Sequence, residues 1–471
     1  MKFKLSGLYT DLYQISMGQA YYLNNISETP ATFDYFFRRI PFKGGYVIFA
    51  GLADLLKSIE GLRFSQSDLE YLESEGFNKE YLKALKDFRF KGSIYGPSEG
   101  EVIFQTEPIL RVEANILEAQ LIETLLLNTL NFQSLIATKA ARIRSVAPGK
   151  IISEFGLRRA QGLGGFYASR AAVIGGADST SNVAAAAGYG LKISGTMAHS
   201  YVQMFDDELQ AFRSFAKTNP ENCVLLVDTY DTLKSGIPNA IKVAKEMESR
   251  NQRLYGVRLD SGDLSYFARK SRQLLDEAGL HYVKIAASNQ LDEYVVRSLI
   301  HQNAPIDIFG VGTNLAIGQP DAALDGVYKL VMADNIARIK VSENIQKITL
   351  PEKKQIHRLL QSDGSFFGAD AIAEIGEGKP EFITAPFDPH KSMKIADIAS
   401  EPLHKPLMKD GKILDYQNNI EEIKKYSESR LALLPPEYKR FEFPHIYKVG
   451  ISPKVKESRD NLFHRYSGRN F

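Results

Sequence analysis

The sequence predicts an α/β protein, an irregular (β/α) barrel with an α+β N-terminal domain completed by the C-terminal segment. Three observations point there. Between Ile151 and Val311 short apolar runs alternate with amphipathic helical patterns, as in parallel strands joined by helical crossovers. The polar residues that end successive strands, Asp228, Asp260, Ser288 and Gly312, stand 32, 28 and 24 residues apart, a short step that suits a barrel. The alternation stops after Gly326, and the stretch before Ile151 has a different texture. A doubly wound open sheet is the alternative arrangement of the same elements. The expected domains are residues 1–135 (N-terminal, α+β), 136–330 (the barrel with the active site) and 331–471, which packs back on the N-terminal domain.

Residues 1–24 read as a loop and a short helix. Thr32 to Arg39, rich in aromatics, and Tyr46 to Ala50 read as strands. Residues 51–89 carry helical patterns with polar caps, and residues 92–113 read as a β-meander punctuated by Gly and Pro. A long helix follows from Ile116 toward Ala147, dense in Leu and Ile and stopped by Pro148-Gly149. In the barrel, Ile151 to Phe155, Leu191 to Gly195, Val224 to Asp228, Leu254 to Asp260, Tyr282 to Ala287 and Ile306 to Val311 read as strands. The helices between them are expected over 201–217, 238–249, 264–278 and 291–302. Val327 to Val331 and Ala337 to Val341 form a hairpin, and Leu434-Pro435-Pro436 closes a helix in the charged, mixed remainder.

A chain of 471 residues supplies two or three domains, and 44% hydrophobic with 24% charged residues is an ordinary globular balance. The formal charge of +2 lacks the basic excess of a general nucleic-acid binder. Cys223 is the sole cysteine, so neither an intramolecular disulfide nor a Cys-based zinc site can form. It lies beside Val224-Leu225-Leu226-Val227 and reads as buried filler. Asp11 and Gln14 interrupt any signal-peptide core, and no apolar run reaches the roughly 18 residues of a membrane span. The expectation is a soluble, cytoplasmic enzyme.

In parallel α/β folds ligands bind at the carboxyl ends of the strands. Here those ends are polar: Val227-Asp228-Thr229-Tyr230-Asp231, Arg258-Leu259-Asp260-Ser261-Gly262-Asp263, Ala287-Ser288-Asn289 and Gly310-Val311-Gly312-Thr313. Any one of them is explained by helix capping; four in succession facing one end favour a ligand site. The glycines 310 and 312 clear a path for a phosphate held by backbone N–H groups and the Thr313 hydroxyl. The carboxylates of Asp260 and Asp263 suit ribose hydroxyls or a Mg2+ carrying pyrophosphate, and Arg258 suits a carboxylate. His199 follows a strand pattern and precedes a helix, so it projects from an element boundary where an imidazole serves as base or nucleophile. Glu154-Phe155-Gly156-Leu157-Arg158-Arg159 joins an aromatic face to two cations.

Together these residues resemble nicotinate phosphoribosyltransferase. The resemblance runs through Tyr9-Thr10-Asp11-Leu12-Tyr13-Gln14, Phe36-Phe37-Arg38, Glu154 to Arg159, Thr180-Ser181-Asn182, Gly195-Thr196-Met197-Ala198-His199-Ser200, Val227 to Asp231, Arg258 to Asp263 and Gly310 to Thr313. It ends near Gly326 to Val331. The resemblance implies that nicotinate and phosphoribosyl pyrophosphate give nicotinate mononucleotide and pyrophosphate for NAD salvage. ATP would phosphorylate the histidine matching His199, oriented by Asp228, and Mg2+ would arrive with the substrates. It also implies that Phe155 and Tyr13, the latter from a neighbouring subunit, sandwich the pyridine, which requires at least a homodimer. Ser181, Thr196 and Arg258 match nicotinate-contacting positions. Arg38 and Arg158 would hold pyrophosphate, and Ser288, Asn289, Gly312 and Thr313 the phosphoribosyl group. Asp260 and Asp263 would stabilise positive charge on the sugar.

Ser181 bears on the acceptor, because a carboxylate there would repel nicotinate. Ala177, in Gly175-Gly176-Ala177-Asp178, departs from the aromatic expected there, which bears on ring specificity. Two other readings stand beside this one: the same chemistry on nicotinamide or quinolinate, and a non-catalytic nucleotide-binding protein on the same fold.

Overall fold

The structure is a computed structural model that describes residues 5–468. Met1 to Lys4, the start of the predicted N-terminal loop, and the last three residues of the C-terminal segment lie outside the described residues. The chain divides into two compact units, one of residues 136–322 and one of residues 1–135 with 323–471.

The unit of residues 136–322 is built on six strands, β1 (Ile151–Glu154), β2 (Ser179–Thr180), β3 (Val224–Leu226), β4 (Gly256–Leu259), β5 (Lys284–Ser288) and β6 (Ile308–Val311). Their order is β2-β1-β6-β5-β4-β3, and every pairing is parallel. Parallel neighbours need long crossovers, and Leu163–Ile174, Ile237–Glu248, Leu264–Glu277 and Glu293–His301 supply helical ones. Leu225, Leu226, Val257, Leu259, Ile285, Ala287, Phe309 and Val311 are fully buried. Covered on both faces, such strands read as continuous apolar runs rather than alternating ones.

The ladder is not closed all round. Beyond β2, Ile193 forms a single parallel bridge with Thr180. Three residues later the Thr196 hydroxyl donates to the Val224 carbonyl of β3 at 2.7 Å. Thr196 thus ties the segment after β2 to β3 by a side-chain hydrogen bond, where a regular barrel would have a ladder.

The other unit holds a seven-stranded antiparallel sheet in the order Ile336–Ala337, Gly326–Ala333, Pro30–Phe37, Leu110–Asn115, Ser93–Gly96, Lys405–Lys409, Lys412–Ile413. Phe33, Tyr35 and Phe37 on its aromatic strand are buried, and Phe33 stacks on Tyr328 with centroids 4.7 Å apart. A six-stranded sheet follows in the order Asp388–Lys394, Phe382–Ala385, Lys448–Ile451, Phe366–Glu374, Lys354–Leu360, Ala399–Pro402. Arg358 on it is fully buried among Glu101 (2.7 Å), Asp370 (2.9 Å) and Glu107 (3.8 Å). Among the described residues no helix is long and apolar enough to cross a membrane.

Several elements differ from their sequence expectation. The helix expected from 116 to 147 is two, Ile116–Leu121 and Glu123–Val146, joined at Ile122. There Gln14, Gln120 and Glu123 form a buried hydrogen-bonded trio. The meander is also rearranged, since Val102–Ile103 pairs with Val47–Ile48 in a separate two-stranded sheet. Leu191 to Gly195 is no strand beyond the one bridge, its Lys192, Ile193 and Gly195 being exposed rather than covered. The helix expected over 201–217 is also two, His199–Gln203 and Glu208–Thr218. Asp207 begins the second by accepting from Leu209 N–H, so the chain must leave helical geometry just before it.

Candidate active site

Each strand of the parallel sheet carries its polar residues to the same end, because parallel strands share a direction. Register places Glu154 opposite Thr180 and Val311, Leu226 opposite Arg258, and Ser288 opposite Gly310. Beyond β4 the chain turns through Gly262 at φ 73°, a left-handed conformation that favours glycine. Beyond β5, Asn289 and Gln290 follow at φ 79° and 50°.

A hydrogen-bonded cluster joins β4, β5 and the segment before His199. The Arg258 guanidinium donates through Nε to Ser288 Oγ at 3.0 Å and through a terminal nitrogen to Met197 O at 3.2 Å. Its other terminal nitrogen lies 3.2 Å from Asp260 Oδ1. Ser288 Oγ in turn donates to Asp260 Oδ1. The Arg258 side chain is only 15% exposed, so this anchoring holds the guanidinium in one place. The other Asp260 oxygen, Oδ2, lies 3.8 Å from His199 Nε2. His199 is the first residue of its short helix, and its side chain is 39% exposed, open to a ligand from solvent.

Asp228 was expected to orient His199. Its Oδ2 accepts from Asp260 N–H at 2.8 Å and from the Ser261 hydroxyl at 2.7 Å, pinning the loop after β4, while its Oδ1 is buried without a hydrogen-bond partner. The partner of His199 Nδ1 is Thr229 Oγ1 at 3.1 Å. An Asp beside a Thr at a strand end gives two polar groups pointing in different directions, and the motif alone does not say which reaches the ring. Asp263, grouped with the catalytic carboxylates, accepts from Tyr266 N–H at 3.0 Å and caps the helix Leu264–Glu277, which occupies its Oδ1.

On the β1 and β6 side, Phe155 N–H donates to Val311 O at 2.7 Å. The Phe155 ring lies over Gly310, where an added Cβ would stand 2.6 Å from two ring carbons. Gly312 leaves comparable room, its virtual Cβ being 3.2 Å from Phe155 O. Thr313 is half-buried just beyond, and Arg158 is exposed. Glu154, not singled out by sequence, is a buried hub: it accepts from Gly156 N–H, from Ser169 Oγ at 2.9 Å and from Thr180 Oγ1 at 2.6 Å. It ties the loop carrying Phe155 to β2. Ser181, half-buried, donates its backbone N–H to Glu154 O at 2.9 Å. Thr196 spends its hydroxyl proton on Val224 O, as described above.

Tyr13 and Arg38 belong to the other unit. Tyr13 lies on the helix Leu12–Leu23, 48% exposed, its phenol pushed up by burial and further by Glu123 and Asp11. Arg38 lines a cavity of about 460 Å³ together with Asp34, Arg39, Asp325 and Lys347. Its Nε is buried with no hydrogen-bond partner, and Asp34 Oδ1 is buried likewise. A donor and an acceptor left unsatisfied beside a cavity are the expected mark of a polar ligand site. Among the described residues no group of three or more His, Cys, Asp or Glu side chains is placed to hold a metal ion.

Comparison with known proteins agrees along the chain. Residues 8–131 match the nicotinate phosphoribosyltransferase (NAPRTase) N-terminal domain, 151–330 the nicotinate phosphoribosyltransferase (NAPRTase) family, and 353–459 the nicotinate phosphoribosyltransferase C-terminal domain. The chain is 42% identical to nicotinate phosphoribosyltransferase of Bacillus subtilis (strain 168), over 98% of this chain and 96% of that protein. It is 35% identical to nicotinate phosphoribosyltransferase of Dictyostelium discoideum, over 97% and 88%. Among solved structures it superposes on human nicotinic acid phosphoribosyltransferase with a TM-score of 0.86 at 29% identity, covering 96% of this chain and 99% of the human one. It shares the fold of nicotinate-nucleotide pyrophosphorylase from Pyrococcus furiosus, with a TM-score of 0.71 at 24% identity over 91% and 95%. The chain belongs to the nicotinate phosphoribosyltransferase family of enzymes.

Proposed function

We propose that this enzyme transfers the phosphoribosyl group of phosphoribosyl pyrophosphate to the ring nitrogen of nicotinate. The products are nicotinate mononucleotide and pyrophosphate. ATP drives the reaction through phosphorylation of His199. The observation that carries the reading is the cluster of Arg258, Asp260, Ser288 and His199 at one end of the parallel strands, with the Phe155 ring set over Gly310 beside it.

The chemistry asks little covalent work of the protein. The bond from C1 of the ribose to pyrophosphate breaks early, because the pyridine nitrogen is a weak nucleophile. The sugar then carries positive charge, which Asp260 stabilises electrostatically in this reading. Arg258, held rigid by three partners, binds the nicotinate carboxylate. Phe155 stacks on the pyridine from one face and fixes it in line with C1. Tyr13 of a second copy of the chain would cover the other face, making the working enzyme a homodimer or larger. Ser181 and the Thr196 oxygen border the ring. Ser288, Asn289, Gly312 and Thr313 hold the phosphoribosyl group, while Arg38 and Arg158 take pyrophosphate. Mg2+ supplies charge neutralisation to the phosphates and arrives bound to the substrates. The place of work in this reading is the cytoplasm, where these soluble substrates are found.

The test is incubation of the purified protein with ring-labelled nicotinate, nicotinamide or quinolinate, each with phosphoribosyl pyrophosphate, Mg2+ and ATP. The reading expects rapid conversion of nicotinate alone and acceleration by ATP. Faster turnover of either other pyridine would displace it, and no turnover of any would leave a binding protein.

A further inference from the structure

We infer that Thr229 is the positioning residue for His199: its hydroxyl, held against Nδ1, sets the plane of the imidazole and leaves Nε2 as the nitrogen free to react. This rests on the phosphohistidine reading above and deepens it.

A neutral imidazole has one donor and one acceptor nitrogen, and the group bound to one nitrogen determines the state of the other. Thr229 Oγ1 lies 3.1 Å from Nδ1. On the opposite side, Asp260 Oδ2 lies 3.8 Å from Nε2, beyond hydrogen-bond distance. Asp260 Oδ1 is engaged by Arg258 and Ser288, so the carboxylate cannot swing toward the ring without giving up both. Asp228 gives Oδ2 to Asp260 N–H and the Ser261 hydroxyl, and its Oδ1 is buried without a hydrogen-bond partner. Thr229 is the group at hydrogen-bond distance from the ring.

The choice of a hydroxyl has a chemical consequence. A carboxylate at Nδ1 can only accept, so it would keep the proton there and raise the basicity of the ring. A hydroxyl can accept from Nδ1–H or donate to the Nδ1 lone pair, so both neutral tautomers keep the same hydrogen bond. In the step served, a nitrogen lone pair of His199 attacks the γ-phosphorus of ATP, the P–O bond to the β-phosphate breaks, and ADP leaves. Water later attacks that phosphorus, the P–N bond breaks, and phosphate departs. The ring passes between neutral and cationic forms without losing its anchor. Thr229 never touches phosphorus, and its place next to Asp228 is set by the end of β3.

The experiment compares wild type, Thr229→Val and Thr229→Ser. It measures the rate of acid-labile label incorporation from γ-phosphate-labelled ATP and the pH profile of ATP hydrolysis. It also measures the His199 tautomer by NMR of histidine-labelled protein, with His199→Ala assigning the signal. A lost neutral hydrogen bond of about 1 kcal/mol predicts roughly a fivefold slower incorporation in Thr229→Val. Recovery in Thr229→Ser and a displaced pH profile in Thr229→Val are also expected. Because Thr229 is half-buried, both variants fold, and circular dichroism checks this. Wild-type labelling rate, pH profile and tautomer ratio in Thr229→Val overturn the inference. Absence of label in wild type sinks the phosphohistidine reading instead. In that event displaced ring signals of His199 in Thr229→Val still uphold the positioning role, and wild-type ones refute it.

Discussion

Replacing Gly310 by alanine tests whether the Phe155 ring is fixed where the reading needs it. The backbone at Gly310 is not in the left-handed region, so the substitution carries no φ strain of its own. The new methyl would stand 2.6 Å from Phe155 Cδ2 and Cε2 and 3.4 Å from Ser288 Cβ. Carbon atoms pack at about 3.5–4.0 Å, so the ring must retreat by about 1 Å. Overpacking of this kind costs about 1–3 kcal/mol. A displacement of about 1 Å at a reacting centre can lower the rate on the order of 100-fold. We expect kcat/KM for nicotinate to fall between roughly tenfold and 100-fold in Gly310→Ala, with only a modest drop in Tm. Steady-state kinetics and thermal unfolding measure both. Adding Phe155→Ala to Gly310→Ala should recover stability, because the clash partner is gone. Wild-type kinetics in Gly310→Ala, or no coupling between the two substitutions, would refute the claim that this ring positions the substrate.

Other predictions follow from particular groups. Asp260→Asn should retain the fold and lose on the order of 100-fold or more in kcat, since it weakens charge stabilisation of the sugar; full activity would remove Asp260 from the mechanism. Arg358→Met leaves Glu107 and Asp370 without their buried cation and Glu101 with Arg430 alone, and should cost about 3–5 kcal/mol in chemical denaturation. Burial pushes the Cys223 thiol up to about 12, so a thiol reagent at about pH 8 should label only unfolded protein. Burial lowers His404 to about 3, below its ordinary value near 6.5. The folded state then binds fewer protons than the unfolded one. The stability is complete above about pH 6.5 and is lost as pH falls toward 3, by a few kcal/mol on the order-of-magnitude scale. His404→Gln should flatten that loss in acid denaturation.

The parallel strands β3 to β6 are legible in sequence because each pairs an apolar run, buried on both faces, with a polar end residue. The segment 191–195 shows the limit. Its pattern suits a strand, yet Lys192 and Ile193 are exposed and it makes one bridge. The break at 204–207 between two helices was hidden because apolar residues continue on both sides of it. The C-terminal sheet was illegible for a different reason. Lys354–Leu360 pairs with Ala399–Pro402, and Phe366–Glu374 runs parallel to Lys448–Ile451, so partners lie far apart in the chain. Arg358 and Asp370 also interrupt its apolar pattern with charges that only the fold pairs. At the site, residue types and strand ends were readable, as was the prominence of Arg258 and His199. The division of labour between Asp228 and Thr229 was not, because neighbouring side chains at a strand end diverge and only coordinates show which one meets the ring.

The most direct measurement of the central claim is a crystal structure of the protein with nicotinate mononucleotide and pyrophosphate. The account predicts the pyridine ring against Phe155 with its carboxylate on Arg258, the ribose beside Asp260, and the 5′-phosphate at Gly312 and Thr313. A nucleotide bound elsewhere, with these strand-end loops making no contact to it, would contradict the account.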